Sequence, residues 1–510
     1  MAPMPPEGLA NRADNLTSVN GPISNSPGLS TPPPRLNDKE LHIAPMLDVS
    51  TYEFRHFMRV LTHRSILWTE MVVGETLFRC DPADHGVHLA MDEMQRPVVC
   101  QIGGNVPSEA VFATRLAHQH GFDRVDLNAG CPSDRVAGRR EFGAALMKDQ
   151  CVAVDMVRAM VAEAKALSLP FSVKTRIGVD DEDSWEFLLD YVGKLVDAGC
   201  RRFVIHARKV LTQGLSPAQN RSIPPLNYQR VYALCEAFPH CDFWLNGGLR
   251  TLKDARRVAY GDGVEFSVGG KTGNVISPPL NSCESHHSVP CAVCCQPHGS
   301  CVAPPSLLSP SNLRGVMLGR LAMDNPSAFA KADSFFFGES RDPSKNRREV
   351  LESYATWLEQ IYPRRCCDDD ARITKGMHLD GQCIARVRNC CHVCKDIYGG
   401  DNGNDITDTE EAIMKRMTLE DNLPEENSKC KRHNRKCPGA KILSRSIDRC
   451  LKPTFGILYG MRGNNNFRRE LHRLSRDMQV RNCGPGFILR KAMESVKSEV
   501  WDMDFFENLP

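Results

Sequence analysis

From Leu41 to Arg320 short apolar runs alternate with longer stretches in which apolar residues recur three or four positions apart. The short runs read as strands and the longer ones as amphipathic helices. Strands are expected at His42–Leu47, Ile66–Val72, Pro97–Ile102, Arg124–Asn128, Phe171–Arg176, Arg202–His206, Asp242–Asn246 and Gly315–Leu318. Helices such as Ser108–His120, Val152–Leu167, Ser184–Ala198 and Thr251–Val258 lie between them. Eight strands with intervening helices over ~280 residues predict an α/β fold, a TIM (β/α)8 barrel. A doubly wound sheet would need a Gly-x-Gly-x-x-Gly turn after its first strand, and the chain has none there.

The alternation fails in three places. Residues 1–38 are rich in Pro, Ser, Asn and Gly, a composition that buries no core, and are expected to be a disordered N-terminal tail. Sixty-six residues separate Gly248 from Gly315, where a barrel needs one helix and two short loops. The barrel domain is therefore set at 39–340, with 264–313 as a disordered insertion. Helical spacing returns at Arg347–Ile361 (Val350, Leu351, Tyr354, Trp357, Leu358, Ile361) and opens a smaller C-terminal helical domain over 346–500. A polar, Cys-rich stretch at 364–445 is expected to be a second disordered insertion.

Charge changes this picture. The chain of 510 residues has 64 Lys+Arg against 62 Asp+Glu, a formal net charge of +2. That excludes a uniformly basic nucleic-acid protein, yet residues 431–500 hold 17 Lys+Arg against 5 Asp+Glu. A helix predicted over Phe467–Met478 puts Phe467, Leu471, Leu474 and Met478 on one stripe. Arg469, Arg473 and Arg476 fall on the opposite face, a surface suited to following phosphates.

No apolar run is long enough to span a membrane, and no membrane partner is expected. The 22 cysteines first suggest a secreted chain. Seven of them, however, are spread between Cys80 and Cys241 along strand- and helix-like segments, and no apolar leader is present, so a reduced, intracellular chain is expected. The cytoplasm is the expected compartment, with plastid or mitochondrion as the alternative. Cys291-x-x-Cys294 and Cys391-x-x-Cys394 have metal-ligand spacing, with Cys430 and Cys437 as further candidates. The last two are separated by six residues, which favours irregular loops, and no metal is expected.

In a barrel, chemistry gathers where strands end. The strand ends here include Gln101-Ile102-Gly103-Gly104, Asn128-Ala129-Gly130-Cys131-Pro132, Lys174-Thr175-Arg176, His206-Ala207-Arg208-Lys209, Asn246-Gly247-Gly248 and Gly319-Arg320. Glycines after strands seven and eight let backbone N–H groups approach a phosphate, and Arg320 adds a cation. Gln101, Lys174 and His206 together suit a flat, polar-edged ring such as a flavin. Cys131, between Gly130 and Pro132, is a candidate proton donor, since an ordinary thiol is mostly protonated at neutral pH.

These segments resemble the tRNA-dihydrouridine synthase family, A-type subfamily. The resemblance is carried by APMLDVSTYEFRHFMR (44–59), QIGGNVP (101–107), DLNAGCPSDRV (126–136), VKTRIGVDDEDSWEFL (173–188), FVIHARKVLTQGLSPAQNRSIPPLNY (203–228), LNGGL (245–249) and GVMLGR (315–320). It implies NADPH-driven, FMN-dependent reduction of a uridine C5=C6 bond in the tRNA D-loop. Hydride would pass from flavin N5 to C6, and Cys131 would protonate C5. FMN would be held by Pro45, Met46, Leu47, Gln101, Lys174, His206, Asn246, Gly247, Gly248, Gly319 and Arg320. Asn128, Arg176, Arg208, Lys209, Asn220, Arg221, Arg468 and Arg469 would face the tRNA. A monomer is expected. Two alternatives stay open: an RNA-binding relative without activity, and an FMN-dependent dehydrogenase of a free pyrimidine.

Overall fold

The computed structural model describes residues 39–133, 136, 141–261, 267–268, 271–272, 309–362, 447–477, 480 and 483–505. The expected tail, most of the first expected insertion and all of the second, the paired cysteines at 291/294, 391/394 and 430/437, and Met478 lie outside the described residues.

Eight parallel strands are present: β1 Glu40–Ile43, β2 Leu67–Val73, β3 Val98–Gly103, β4 Arg124–Ala129, β5 Phe171–Arg176, β6 Arg202–His206, β7 Asp242–Asn246 and β8 Leu313–Leu318. Sequential neighbours pair from β2 to β7, and β8 pairs with both β7 and β1. The ring closes between β1 and the residue before β2. Ile43 N–H donates to Ile66 O and Ile66 N–H to Leu41 O, both at 2.9 Å. With helices between consecutive strands, this is a TIM barrel.

The first strand stops four residues before its expected end. Pro45 has no N–H for the ladder, and Ser50 Oγ, which donates to Ala44 O and accepts from Met46 N–H, turns the chain out of the sheet. Helices start where the sequence supplies caps. Asp149, Ser184 and Thr251 each accept a backbone N–H of the first turn, ahead of Gln150–Ala166, Trp185–Asp197 and Leu252–Tyr260. Within the expected first insertion, Ser267–Val268 and Lys271–Thr272 pair as a short antiparallel hairpin.

Inside the barrel, Ala44, Ile66, Trp68, Val99, Val204, Trp244 and Met317 form a packed layer. Below it, Trp68 Nε1–H donates to His42 Nδ1 (3.1 Å), His42 Nε2 meets Glu40 Oε2 (2.8 Å), and Arg124 grips Glu40 at 2.6 and 2.9 Å. The filled floor leaves the C-terminal ends of the strands as the open face.

The C-terminal helices pack on helix Tyr52–Leu61, just after β1. His56 stacks on Trp357 with ring centroids 3.9 Å apart, and Phe57 meets Tyr354 edge-on at 5.1 Å. At the same seam Glu53 is wholly buried. Tyr362 Oη donates to its Oε1 (2.6 Å), and Arg449 bridges Glu53 and Glu70 at 3.3 and 3.0 Å. Helix Asn464–Arg476 buries Phe467, Leu471 and Leu474, the stripe that its spacing predicts.

Candidate active site

Hydrogen bonds run from strand to strand across the mouth, beginning at Asp126, which is fully buried in β4. Its Oδ1 accepts from Ser172 Oγ (2.7 Å) and its Oδ2 from Gln101 Nε2 (2.8 Å). Gln101 Oε1 accepts from Asn128 Nδ2 (2.9 Å). Asn128 Oδ1 accepts the backbone N–H groups of Gly130 (3.1 Å) and Cys131 (3.0 Å). One carboxylate thus fixes how two carboxamides face, and the second carboxamide fixes the turn bearing Cys131. Gln101 still has one N–H and one oxygen lone pair for a ligand.

Electrostatics set the proton inventory. Burial pushes the Cys131 thiol above its ordinary pKa, and the Ser133 backbone with Arg176, Lys174 and Arg221 offsets this only in part. Cys131 therefore carries its proton at neutral pH. Lys174, on β5 opposite Asn128, is held below its usual value by burial and by Arg176. Burial raises Asp126 against the pull of its hydrogen bonds and of Lys174. His206, in register with Arg176 and Asn246, is driven well below its ordinary pKa by burial and by Arg176, Lys174, Arg208 and Arg221. It is a neutral imidazole at physiological pH.

On the other side of the mouth, Gly247 and Gly248 have φ of 120° and 73°, outside the range of most side chains. A Cβ on Gly247 would stand 2.8 Å from His206 Cδ2, and one on Gly248 would collide with Leu226 Cδ1. Tyr228 Oη donates to Gly247 O at 2.6 Å and pins the turn. Asn246 Nδ2 donates to Met317 O (2.9 Å), tying β7 to β8. Gly319 lies close to Ala44 and Met46, where an added Cβ would make 3.4 Å contacts. Arg320 Nη2 reaches Arg221 O at 3.4 Å.

Arg208 and Arg221 both lie below the usual arginine value through burial and then through Arg320. Arg208 Nε is buried without a hydrogen-bond partner. Three guanidinium groups crowded beside two open glycine turns, one with an orphaned N–H, fit the phosphate of a flavin nucleotide.

The residues expected at the RNA separate into two groups. Asn220 is fully buried, and its carboxamide is spent within its own loop, accepting from Leu211 N–H and donating to Leu211 O, both at 2.8 Å. Its side chain therefore braces the loop after β6 from within, unlike the exposed arginines expected at the RNA with it. Arg176, 4% exposed, also points inward: it donates to Gly130 O, Lys209 O and Asn220 O at 3.0–3.2 Å and clasps the Cys131 turn to the loop after β6. Arg208 is likewise buried and donates to Ser222 O and Pro224 O. Lys209 pairs with Asp183 at 2.8 Å. Arg221, Arg468 and Arg469 are exposed, and Asn128 stands at the mouth. Of the expected cofactor turn, Leu47 is 72% exposed, while Pro45 and Met46 are half-buried.

Asp126, Ser172 and Tyr228 were not anticipated. The signal for Asp126 lay in strand periodicity, since it stands two residues before Asn128 and so shares its face.

Residues 42–272 match the dihydrouridine synthase (Dus) family. The tRNA-dihydrouridine(20/20a) synthase of Vibrio vulnificus is 35% identical over 321 residues, 63% of this chain and 80% of that protein. That of Vibrio parahaemolyticus is 34% identical over 340 residues, 66% of this chain and 82% of the relative. The chain belongs to the dihydrouridine synthase family, A-type. The family match spans Gln101, Cys131, Lys174, His206 and the Gly247–Gly248 turn. Gly319 and Arg320 lie beyond it in sequence, and the eighth strand returns them to the same mouth.

The Escherichia coli (strain K12) relative, also named tRNA-dihydrouridine(20/20a) synthase, is 43% identical over 224 residues, 44% of this chain and 63% of that protein. Among the described residues no group of three metal-binding side chains converges, and no helix is long and apolar enough to cross a membrane.

Proposed function

We propose that this protein reduces the C5=C6 bond of a D-loop uridine in tRNA, with FMN as cofactor and NADPH as reductant, in the cytoplasm. The observation that carries the reading is Cys131, a thiol kept protonated by burial and held by Asn128 beside Lys174 and Arg176. Family membership supports it, as do the names of the relatives.

A bound FMN would supply hydride chemistry at this mouth. The Gly247–Gly248 and Gly319–Arg320 turns would hold its phosphate, together with Arg208. Gln101 would offer its remaining N–H and lone pair to the pyrimidine edge of the ring, and Pro45, Met46, Leu47, His206 and Asn246 would complete the enclosure. Lys174 places positive charge in the same cavity. Cys131 Sγ gives its proton to C5. The thiolate left behind is stabilised by Arg176, Lys174 and Arg221 and regains a proton from solvent.

Turning the uridine out of its stack costs a few kcal/mol, which contacts from Arg221, Arg468 and Arg469 to RNA phosphates offset. The test is a visible spectrum of the purified protein and an assay of dihydrouridine on a tRNA transcript with NADPH. A yellow protein that forms dihydrouridine is expected. A colourless protein that still binds tRNA would overturn the reading.

A further inference from the structure

Next to the mouth lies a cavity of about 360 Å³ that none of the cofactor or proton-donor residues lines. Asp48 and Val49, which directly follow the Pro45–Leu47 turn, form one wall. Met323 and Asp324, three and four residues past Arg320, close a second side. The facing wall comes from the C-terminal segment and includes Arg449, Lys452, Phe455, Tyr459 and Arg468. The cavity therefore borders two of the turns that shape the mouth.

Its charges are not all committed. Arg449 is held by Glu53 and Glu70, and Lys452 Nζ donates to Asp48 O at 2.6 Å. Arg468 is different: it is exposed, its guanidinium lies 5.7 Å from the centre of the Phe455 ring, and among the described residues it has no ion-pair partner. Tyr459 presents a large aromatic surface that is 58% exposed.

Each simpler occupant leaves something unanswered. A lone phosphate would satisfy Arg468 and leave Tyr459 in water. An apolar side chain would cover Tyr459 and leave Arg468 without an ion-pair partner, since neither Asp48 nor Asp324 in the same lining pairs with it. A nucleotide answers both, because its base stacks on an aromatic or guanidinium plane while its phosphate meets the cation. The volume admits one such unit.

We infer that this cavity receives a second nucleotide of the RNA, a neighbour of the uridine that is reduced, unstacked into the seam between the barrel and the C-terminal helices. The inference rests on the proposed tRNA-dihydrouridine synthase activity. Binding here would fix the register of the D-loop at the mouth, so that recognition of one base places another.

The experiment uses the full chain and tRNA transcripts, either intact or with a single abasic nucleotide on one side or the other of the target uridine. Dihydrouridine formed by the unaltered protein on the intact transcript tests the function, and failure at that step condemns the function itself. The cavity is tested by affinity. Loss of the base on one side should weaken binding roughly 10-fold, the scale of one base stacked on an aromatic ring. Tyr459→Ala should weaken binding of the intact transcript by a similar factor and become indifferent to that abasic site, whereas Tyr459→Phe should behave as the unaltered protein. Arg468→Gln provides a second variant should Tyr459→Ala fold poorly, with the same expected loss of sensitivity. Independent, multiplicative losses from the abasic site and the variant would overturn the inference. So would a variant that keeps its tRNA affinity but needs more NADPH to reduce its flavin, because the cavity would then serve the dinucleotide.

Discussion

Asn128 Oδ1 accepts the backbone N–H of Cys131 at 3.0 Å, so the placement of the thiol is set by a carboxamide three residues earlier. That carboxamide is itself set by Gln101, and Gln101 by the buried Asp126. Removing the middle of this line should loosen the turn without touching the thiol. Asn128→Ala is expected to lower the turnover of dihydrouridine formation by about 10²-fold, the usual cost of displacing a reacting group by about 1 Å. The flavin absorbance of the purified variant should be retained. Turnover within a factor of two of the unaltered protein would rule out this positioning role.

Cys131 makes a sharper prediction through pH. Its folded pKa is raised, so the proton required for the reaction stays on sulfur through neutral pH and is lost only on the alkaline side of the ordinary thiol value. The rate should therefore hold across neutral pH and fall on an alkaline limb. Cys131→Ala should lower the rate by about 10²–10⁴-fold, the range for one general acid, and should lack that limb. An unchanged alkaline limb in the variant would assign the titration to another group.

Gly248 links backbone shape to cofactor retention. Its φ of 73° disfavours any side chain, and a Cβ there would have to push Leu226 Cδ1 aside. Gly248→Ala should cost about 1 kcal/mol or more in stability from the left-handed backbone alone. It should also emerge from purification with far less flavin than the unaltered protein, as read from the ratio of visible to ultraviolet absorbance. Full flavin content would show that the turn tolerates the displacement.

The floor of the barrel gives a stability prediction. Burial alone would raise the Glu40 carboxyl, but hydrogen bonds and charge from His42 and Arg124 outweigh it and hold the group below the usual carboxylate range. A depressed carboxyl contributes stability above its unfolded pKa and loses it as the pH falls towards the folded one. Glu40→Gln should therefore cost about 1–3 kcal/mol at pH 7. Below about pH 4, where an unfolded carboxyl starts to protonate, the gap between the two proteins should narrow. Urea unfolding at pH 7 and in mild acid measures both, and a gap that widens in acid would contradict the sign.

Much of the barrel was legible because its strands are short, apolar and separated by helices with visible caps. The first strand was overextended because Ala44-Pro45-Met46-Leu47 remains apolar after its backbone has left the ladder. The residues at the mouth were legible because the fold obliges strand ends to converge, so Gln101, Cys131, Lys174 and His206 could be placed together without knowing a single contact. Residue type could not reveal which way a polar side chain turns. Arg176 faces inward because the carbonyl of Asn220, 44 residues away in sequence, waits for it. Asn220 is buried for a similar reason, since its own loop closes around its carboxamide through Leu211, Leu215 and Ser216.

Glu53 sits on a barrel helix, yet Tyr362 and Arg449, which hold its carboxylate, come from beyond the eighth strand. Trimming the chain to its catalytic half would take Tyr362 and Arg449 away from Glu53 and bare to water Tyr52, Phe57 and His56, whose aromatic partners Tyr354 and Trp357 would be gone. The two halves are thus mutual chaperones, and an excised barrel should be recovered from cells mainly as aggregate.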